Sequence, residues 1–227
     1  MALPPLSEPT RILVIDVGGS NIKMLASGQK KRLKFPSGRE LTPQSLVEQV
    51  KDATSHWSYD AISLGCPCAV RNNIPIKEPT NLNKGWAGYD FEKAFGLPTK
   101  VINDATMQAI GCYQGGNMLF LGFGTGLGTT LIKDGKAIPL EAGGLPYRKD
   151  RSFEGYVGKS GLAHIGLKKW NNHAQRIIKI LRHAFNAEDV VLGGGNAELI
   201  EELPENTRRV DNHAAFTGGF RLWEENW

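Results

Sequence analysis

Two glycine-rich turns, each following an apolar run, are the parts of this sequence best suited to chemistry. The first lies within residues 16–23 (DVGGSNIK) and the second within residues 124–128 (GTGLG). Because glycine has no Cβ, the backbone N–H groups of such turns can approach an anion closely. One Gly-Gly turn alone is better explained by a hairpin that binds no ligand. Two of them in one chain indicate a clamp on a polyphosphate, and therefore a phosphotransferase.

An acid follows another apolar run. Asn103 and Asp104 stand at the end of a predicted strand and at the start of a predicted helix. An acid in the first turn of a helix also interacts favourably with the helix dipole, which is the alternative explanation for Asp104. Ligands gather at the carboxyl ends of strands in α/β sheets, where a polar pair can hold a hydroxyl group and remove its proton. The sequence therefore favours Asp104 as a general base.

A third glycine run, Gly193, Gly194 and Gly195 with Asn196 behind it, follows the apolar residues 190–192. The run lacks the glycine spacing and the later acid of a dinucleotide-binding fingerprint. Its glycines either let a purine and its ribose lie flat on the backbone, or connect a strand to a helix. The sequence leaves both interpretations open.

Three further features are ambiguous. Asn81 opens the polar loop 81–86, whose single aromatic residue is typical of a sugar-binding edge and equally of a surface turn. Glu141 is a lone acid beside small residues, a context that by itself favours a structural role. The basic stretch 148–151, with Lys159, Lys168 and Lys169 beyond it, is typical of a solvated face. Along a cleft, the same stretch would hold a long anion.

Strands and helices are predicted to alternate, with glycines at the points where one gives way to the other. The predicted strands are 11–16, 23–26, 32–35, 61–65, 100–103, 118–123, 129–133 and 190–192, with a hairpin-like excursion over 69–77. The predicted helices are 43–57, 90–95, 104–113, 153–166, 171–185, 197–203 and 212–223. This order indicates a mixed α/β architecture with two similar halves.

The amino-acid composition argues against a nucleic-acid partner and against a membrane partner. The chain has 227 residues, of which 41% are hydrophobic, and its 27 Lys and Arg against 23 Asp and Glu give a net charge of +4. This excess is too small and too dispersed for a nucleic-acid partner. No apolar segment reaches the roughly 18–20 residues of a membrane span, so no membrane partner is expected.

The sequence predicts neither a targeting signal nor a set of disulfide bonds. Residues 1–10 have no basic start and no long apolar stretch, which favours a frayed tail over a signal peptide. Cys66, Cys68 and Cys112 cannot all pair within one chain, and they lack a fourth ligand at zinc-like spacing. We expect buried, reduced thiols in a cytoplasmic protein.

Taken in order, the motifs resemble those of ROK-family sugar kinases, especially the polyphosphate glucokinase branch. The residues that carry the resemblance are 16–23, Asn81 with Leu82 and Trp86, 103–105, 124–128, 141–143 and 193–196, and it extends over residues 11–223. It implies the two-lobed actin-like, Hsp70-like and sugar-kinase fold, a ribonuclease H-like α/β architecture in which each lobe is a mixed sheet with helices. The lobes would be 1–103 and 104–227, with a C-terminal helix packing back on the first, in a possible homodimer.

The resemblance also implies a role for each motif. Phosphate or nucleotide would contact Asp16, Gly18, Gly19, Ser20, Asn21, Lys23, Gly124, Thr125, Gly126, Gly193, Gly194, Gly195 and Asn196. Asn81, Asn103, Asp104 and Glu141 would bind a hexose, with Asp104 as the base for its 6-hydroxyl. Mg²⁺ would lie near Asp16, and ATP or inorganic polyphosphate would be the donor. Glucose is the expected acceptor. The alternatives are mannose, N-acetylmannosamine or another alcohol, or a non-catalytic sugar-binding regulator.

Two departures from the family pattern bear on the sugar and on metals. Gly144 stands where the family usually has a histidine, three residues after the acid that corresponds to Glu141. Residues 145–170 replace the cysteine-rich zinc segment of the family. We therefore expect no metal other than magnesium, and the missing histidine puts the affinity for the sugar, or the choice of sugar, in question.

Overall fold

The computed structural model describes residues 11–210, 213–224 and 227, and the chain clusters into two compact units. The first unit is Met1–Asp104 together with Gly219–Trp227, and the second is Ala105–Gly218. The predicted tail 1–10 lies outside the described residues. Each unit has its own sheet and its own core.

The first unit is a mixed sheet with helices. Its elements are β1 (Ile12–Val17), β2 (Asn21–Ala26), β3 (Leu33–Pro36), α1 (Pro43–Ala53), β4 (Ala61–Cys66), β5 (Val70–Arg71), β6 (Ile74–Pro75), α2 (Phe91–Phe95) and β7 (Thr99–Asn103). The five-stranded sheet has the order β3-β2-β1-β4-β7. Strands β1, β4 and β7 are parallel, so their carboxyl ends lie along one edge of the sheet.

Burial explains these elements. All six residues of β1 and all six of β4 are buried, as expected for central strands covered on both faces. Helix α1 begins after Thr42, whose hydroxyl accepts a hydrogen bond from the Ser45 N–H at 3.1 Å, and it presents Leu46 and Val50 to the core. The core of the first unit thus includes buried residues of β1, β4 and α1.

The segment Gly219–Trp227 is fixed to β4 through Ser63, which is fully buried. The Ser63 hydroxyl donates to the Gly219 carbonyl at 2.6 Å and accepts from the Trp223 indole N–H at 2.9 Å. A Cβ on Gly219 would lie 2.3 Å from a methyl group of Val14, so only glycine allows this close approach to β1.

The second unit repeats the strand plan of the first. Its elements are α3 (Asp104–Cys112, begun by the last residue of the first unit), β8 (Met118–Phe123), β9 (Leu127–Lys133), β10 (Lys136–Leu140), β11 (Pro146–Arg148), β12 (Arg151–Ser152), α4 (Phe153–Val157), α5 (Lys159–Ile165), α6 (Leu167–Ala184), β13 (Asp189–Gly193), β14 (Thr207–Arg209) and α7 (Ala214–Arg221, which ends in the first unit). The sheet order β10-β9-β8-β13-β14 matches that of the first sheet strand for strand. In both sheets an antiparallel pair is followed by parallel strands. The predicted mixed α/β architecture is confirmed.

The core of the second unit is built on β8 and α6. Phe123 packs edge-to-face on Trp170 with ring centroids 5.9 Å apart, and both side chains are fully buried. The Trp170 indole N–H donates to the Val157 carbonyl at 2.9 Å, which satisfies its polar group inside the core. Ile177 and Ile178 extend the same apolar face along α6.

Two predicted helices are wrong. The predicted helix 153–166 is two helices, α4 and α5, because Gly158 between them is extended, with φ −73° and ψ 175°. The predicted helix 197–203 is only a 3₁₀ turn, Ala197–Leu199. The Asn171 side chain donates to the Leu199 carbonyl at 2.9 Å and accepts from the Glu201 N–H at 3.0 Å, bonds that hold this segment out of a helix.

The other predicted elements are present, with shifted ends. Helix α6 begins at Leu167 rather than at 171, and the predicted helix 212–223 is α7, with residue 212 outside the described residues. Strand β14 and the short pair β11 and β12 were not predicted. Within the described part of the chain, no helix combines the length and the apolar character that a membrane crossing requires.

Candidate active site

The first glycine turn joins β1 to β2 and is pinned by hydrogen bonds. The Gly18 N–H donates to the Asn21 carbonyl at 2.9 Å, and the Ser37 hydroxyl donates to the Gly18 carbonyl at 2.6 Å. The Ser37 N–H also donates to the Ser20 carbonyl at 3.2 Å. Gly18 and Gly19 are partly exposed and Ser20 is exposed. Hydrogen bonds to Ser37 therefore hold the turn in place, while residues 18–20 remain accessible to a ligand from solvent.

Asp16 lies directly before this turn and is buried, with 4% of its surface exposed. Its Oδ2 accepts a hydrogen bond from Lys23 Nζ at 3.3 Å, across the antiparallel pair of β1 and β2. Burial raises the pKa of Asp16, and the charge and hydrogen bond of Lys23 oppose that rise. Burial thus disfavours the charged form of Asp16, and Lys23 favours it.

The strand register brings three of the predicted residues to the same edge of the first sheet. Asp16 of β1 pairs with Gly65 of β4, and Gly65 pairs with Ile102 of β7. Asn103 and Asp104 follow Ile102 directly, so they lie at the carboxyl edge at which β1 also ends. Two strand spacings separate β1 from β7, a distance of about 10 Å.

Asn103 is held at this edge by a loop that follows β4. Its side-chain N–H donates to the Cys68 carbonyl at 3.3 Å, and its backbone pairs in register with Cys66. Asp104 is half-buried. The structure thus places the Asn103 amide and the Asp104 carboxylate next to the residues 66–68.

Asn81 is exposed, in a loop anchored by Trp86. Trp86 is fully buried, its backbone N–H donates to a carboxylate oxygen of Glu78 at 3.0 Å, and its indole N–H donates to the Leu41 carbonyl at 3.4 Å. The backbone hydrogen bond from Trp86 lowers the pKa of Glu78. The aromatic residue of this loop therefore belongs to the core, and a sugar-binding role for the loop would depend on its polar residues, such as Asn81.

In the second unit, the second glycine turn packs against the junction of α4 and α5. The Gly124 N–H donates to the Gly126 carbonyl at 3.1 Å, and the Lys159 N–H donates to the Thr125 carbonyl at 3.1 Å. A Cβ on Gly126 would lie 2.7 Å from a carboxylate oxygen of Glu154, whereas a Cβ on Gly124 would meet no atom within 4 Å. Packing therefore does not explain why residue 124 is glycine, and at residue 126 the nearest atom is only the end of the flexible Glu154 side chain.

Glu154 is a residue that sequence reasoning missed. It lies in the first turn of α4, after Ser152, whose hydroxyl caps the helix by accepting from the Gly155 N–H. An acid two residues after a capping serine is the local signal that was available, but that signal predicts a helix start. It does not reveal that the carboxylate faces a glycine turn nearly thirty residues earlier in the chain.

The third glycine run is joined to the second turn through Asn196. The Asn196 side chain donates to the Gly124 carbonyl at 3.3 Å, and its backbone N–H donates to the Phe123 carbonyl at 3.0 Å. The structure therefore brings two of the three glycine motifs together within the second unit.

Packing accounts for two of the three glycines in the run. A Cβ on Gly193 would lie 2.5 Å from the Phe120 ring, and one on Gly194, whose φ is +81°, would lie 2.3 Å from the Phe123 carbonyl oxygen. A Cβ on Gly195 would meet nothing within 4 Å. Close packing at the end of the strand explains why residues 193 and 194 are glycine. At Gly195 there is room for a side chain, so packing does not explain that glycine.

Glu141 is exposed and precedes a 3₁₀ turn, Ala142–Gly144, that packs on β9. The Ala142 N–H donates to the Thr129 hydroxyl at 3.1 Å, and a Cβ on Gly143 would lie 2.5 Å from the Leu127 carbonyl oxygen. Gly144 has open space around it, so the backbone would accept a side chain there. The turn that follows Glu141 is thus held by close contacts to β9. Its last residue, Gly144, has no side chain, although there is room for one.

The basic stretch is a hairpin tip. Lys149 and Asp150 both have positive φ, 47° and 57°, between strands β11 and β12. Arg151 turns inward, with its guanidinium 5.1 Å from the centre of the Tyr156 ring and a hydrogen bond to the Gly155 carbonyl. Arg148 and Lys149 remain exposed.

The residues at the edge of the first sheet fit a magnesium ion only in part. Among the described residues, no group of three or more His, Cys, Asp and Glu side chains could hold a metal ion by itself. Asp16 offers one buried carboxylate directly before the first glycine turn. Magnesium is commonly bound through one or two carboxylates, with phosphate and water oxygens completing its shell. Asp16 therefore fits an ion that arrives with its phosphates.

Sequence comparison finds relatives among polyphosphate glucokinases, although no protein-family model matches the chain. A polyphosphate glucokinase of Mycobacterium tuberculosis is 25% identical over 206 residues, which cover 80% of this chain and 76% of that protein. The chain is thus similar to polyphosphate glucokinases over most of its length. The predicted resemblance is thereby confirmed, and the relatives' names agree with the predicted enzyme class, a phosphotransferase.

Solved structures give the same fold. The inorganic polyphosphate/ATP-glucomannokinase of Arthrobacter sp. strain KM has a TM-score of 0.81 at 21% identity, covering 96% of this chain and 98% of that one. A ROK family glucokinase of Streptomyces griseus, solved with glucose and AMPPNP, has a TM-score of 0.73 at 15% identity, covering 94% of this chain and 98% of that one. The predicted fold class, that of the two-domain ROK kinases, is confirmed.

Proposed function

We propose that this protein is a hexose kinase that transfers a phosphoryl group to the 6-hydroxyl of glucose, with ATP or inorganic polyphosphate as donor. The observation that carries the proposal is the repetition of one design. Each of the two five-stranded sheets has a glycine turn between its equivalent first pair of antiparallel strands, β1 to β2 and β8 to β9. An acid, Asp104, directly follows the outer parallel strand of the first sheet.

The phosphate roles follow from the bare backbone of the turns. Gly18, Gly19, Ser20 and Asn21 would contact phosphate oxygens, and so would Gly124, Thr125 and Gly126. Lys23 would be shared between Asp16 and the phosphates, and Asp16 would support a magnesium ion indirectly. Asn196, joined to Gly124, and the glycine run 193–195 would contact the nucleoside or the continuing polyphosphate chain.

The hexose roles centre on Asp104. In phosphoryl transfer the protein mainly positions the reactants and stabilises charge, since it forms no covalent bond to them in the transition state. Asn103, Asn81 and Glu141 would orient the sugar hydroxyls. Asp104 would accept the proton of the 6-hydroxyl as the new O–P bond forms, a contribution of about 10²- to 10⁴-fold to the rate.

Donor and acceptor are suggested by the relatives. The names polyphosphate glucokinase and polyphosphate/ATP-glucomannokinase cover both donors and add mannose as a second acceptor. We therefore propose glucose first and mannose second. The cytoplasmic location, the homodimer and the lobe boundary between 103 and 104 stay predictions.

The test is a phosphoryl-transfer assay on the purified chain with magnesium. ATP and polyphosphate are each offered with glucose, with mannose and with N-acetylmannosamine, and hexose 6-phosphate is measured. Product that depends on protein, hexose and donor supports the proposal. Hexose binding by calorimetry without product for any pair would refute it and indicate a non-catalytic sugar-binding protein.

Asp104→Asn tests the base in the same assay. We expect kcat to fall by about 10²-fold or more, with the dissociation constant for hexose changed by less than about tenfold. The matched control is Asp134→Asn, because Asp134 is exposed in the β9 to β10 turn at φ 50°, a conformation that asparagine also adopts. Near-normal turnover in Asp104→Asn would overturn the assignment.

A further inference from the structure

Two cysteines face each other at the sheet edge where Asn103 and Asp104 lie. Cys66 Sγ and Cys68 Sγ are 2.9 Å apart, as free thiols in hydrogen-bond contact. A disulfide requires about 2.05 Å between the sulfurs, so they need to approach by only about 0.9 Å. Pro67 between them has a fixed φ, which limits the conformations that the loop can adopt.

Both cysteines are buried, but Cys68 is more accessible to solvent than Cys66. Cys66 is fully buried at the end of β4, while Cys68 retains 8% of its surface exposed. Burial, then the contact with Cys68, then the charge of Asp104 raise the pKa of the Cys66 thiol. Cys68 is therefore the side chain that a small oxidant reaches first, and Cys66 is the partner that lies beside it.

The loop that carries the pair also positions Asn103. The Cys68 carbonyl accepts the hydrogen bond of the Asn103 side chain at 3.3 Å, and Cys66 pairs with Asn103 in the strand register. Any covalent change that draws the two sulfurs together acts on residue 68, and hence on the carbonyl that orients this amide. The Asp104 carboxylate follows in the next residue.

We propose that Cys66 and Cys68 are an oxidation site, a dithiol that closes to an intrachain disulfide and weakens hexose binding by displacing the Asn103 amide. The effect on binding rests on the proposed kinase function, whereas the disulfide itself does not. Hydroperoxides are the oxidant class that fits the small opening at Cys68.

The chemistry balances in two steps. The Cys68 thiolate attacks one oxygen of hydrogen peroxide, the O–O bond breaks, and a sulfenic acid and water are formed. Cys66 then attacks the sulfenic sulfur, the S–S bond forms and a second water leaves. The two thiols lose two electrons and two protons, and the peroxide gains both. A dithiol such as dithiothreitol reverses the change by thiol–disulfide exchange.

The chemical test uses the full chain treated with hydrogen peroxide and then denatured for thiol titration. The three free cysteines are expected to fall to one titratable thiol, Cys112. Trypsin releases both paired cysteines on one peptide, 52–71, whose mass should decrease by two hydrogens. Three remaining thiols, or a sulfinic acid without a disulfide, would overturn the proposal.

The functional test compares oxidised and reduced protein. The hexose KM, and the hexose dissociation constant from calorimetry, should rise by about three- to tenfold on oxidation, the equivalent of one lost hydrogen bond, and recover with dithiothreitol. Each of Cys66→Ser and Cys68→Ser should lose this response, measured against its own reduced form. Cys112→Ser should retain it, because Cys112 lies on α3 and bonds to the Ala109 carbonyl.

The outcomes separate the two proposals. A disulfide that leaves hexose binding and KM unchanged, or a response that survives in Cys68→Ser, would refute the oxidation switch while the kinase function stands. A disulfide in a chain that neither binds nor phosphorylates any hexose would refute the kinase function, and with it the effect on binding.

Discussion

Replacing Lys23 by methionine should destabilise the first unit in a manner that depends on pH. The substitution removes the cation 3.3 Å from a carboxylate that is almost fully buried, while it retains the length and apolar stem of the lysine. Coulomb's law gives about 5 kcal/mol for this pair at an effective dielectric constant of 20, and about 1.3 kcal/mol in bulk water. The Lys23 side chain is 25% exposed, which places the pair between these limits. We expect a loss of about 2–3 kcal/mol at neutral pH.

The pH dependence follows from the raised pKa of Asp16. Because the folded pKa lies above the unfolded value of about 4, the folded state binds more protons, and stability present below pH 4 is lost as pH rises through the folded pKa. Removing Lys23 raises that pKa further. The variant should therefore match the wild type in acid, where Asp16 is protonated in both, and fall behind it as pH rises.

Hydrogen exchange of the amides in β1 and β4 gives the local free energy of opening of this unit. It should be measured at about pH 3.5, below the unfolded pKa of an aspartate, and at about pH 8, with correction for the intrinsic exchange rates. Lys34→Met is the matched control, since Lys34 is exposed on β3, directly across from Lys23 in the strand register. An equal loss at both pH values, or an equal loss in the control, would refute this account of the pair.

Two further predictions concern stability and the donor. Ser63→Ala leaves the Trp223 indole and the Gly219 carbonyl without their buried partner and should cost about 2–4 kcal/mol by hydrogen exchange in β4, and a loss below about 0.5 kcal/mol would contradict it. Gly124→Ala should leave stability within about 0.5 kcal/mol and raise the donor KM, whereas Gly194→Ala should cost about 2 kcal/mol or more, from thermal unfolding. An unchanged donor KM in Gly124→Ala would remove Gly124 from the phosphate site.

The sequence predicted the elements whose burial is periodic or continuous. Strand β8, Met118–Phe123, has the predicted ends because a six-residue apolar run stops at a glycine turn. Helix α1 begins at Pro43, as predicted, because a hydroxyl residue before a proline, here Thr42, is a local signal for a helix start. Such signals are contained in neighbouring residues and need no knowledge of the rest of the chain.

The elements that sequence reasoning missed are fixed by distant contacts. Strand β14, Thr207–Arg209, is three polar or charged residues long, and only its backbone pairing with β13 makes it a strand. The glycine at the break, Gly158, is also required by a distant contact, because a Cβ there would lie 2.6 Å from the Thr125 carbonyl oxygen. Neither cause leaves a periodic pattern in the sequence.

The residues of the candidate site also fall into two groups, those that local sequence patterns reveal and those that only long-range contacts reveal. The glycine turns and Asp104 were found because each follows an apolar run, a local pattern. The bond from Asn196 to Gly124 joins residues 72 positions apart, and the contact of Asn103 with Cys68 joins residues 35 apart. The partners in these contacts are ordinary polar or small residues, so only the fold reveals them.

The attachment of Gly219–Trp227 to Ser63 imposes an order on biosynthesis. Ser63 finds its carbonyl acceptor 156 residues later in the chain. At about 5–20 residues per second, a ribosome needs roughly 8–30 s to add that length. The nascent first unit must wait through this interval with β4 uncovered on one side, while the second unit, continuous in sequence, emerges whole. Chaperone demand during translation should therefore fall on the half of the protein that is made first.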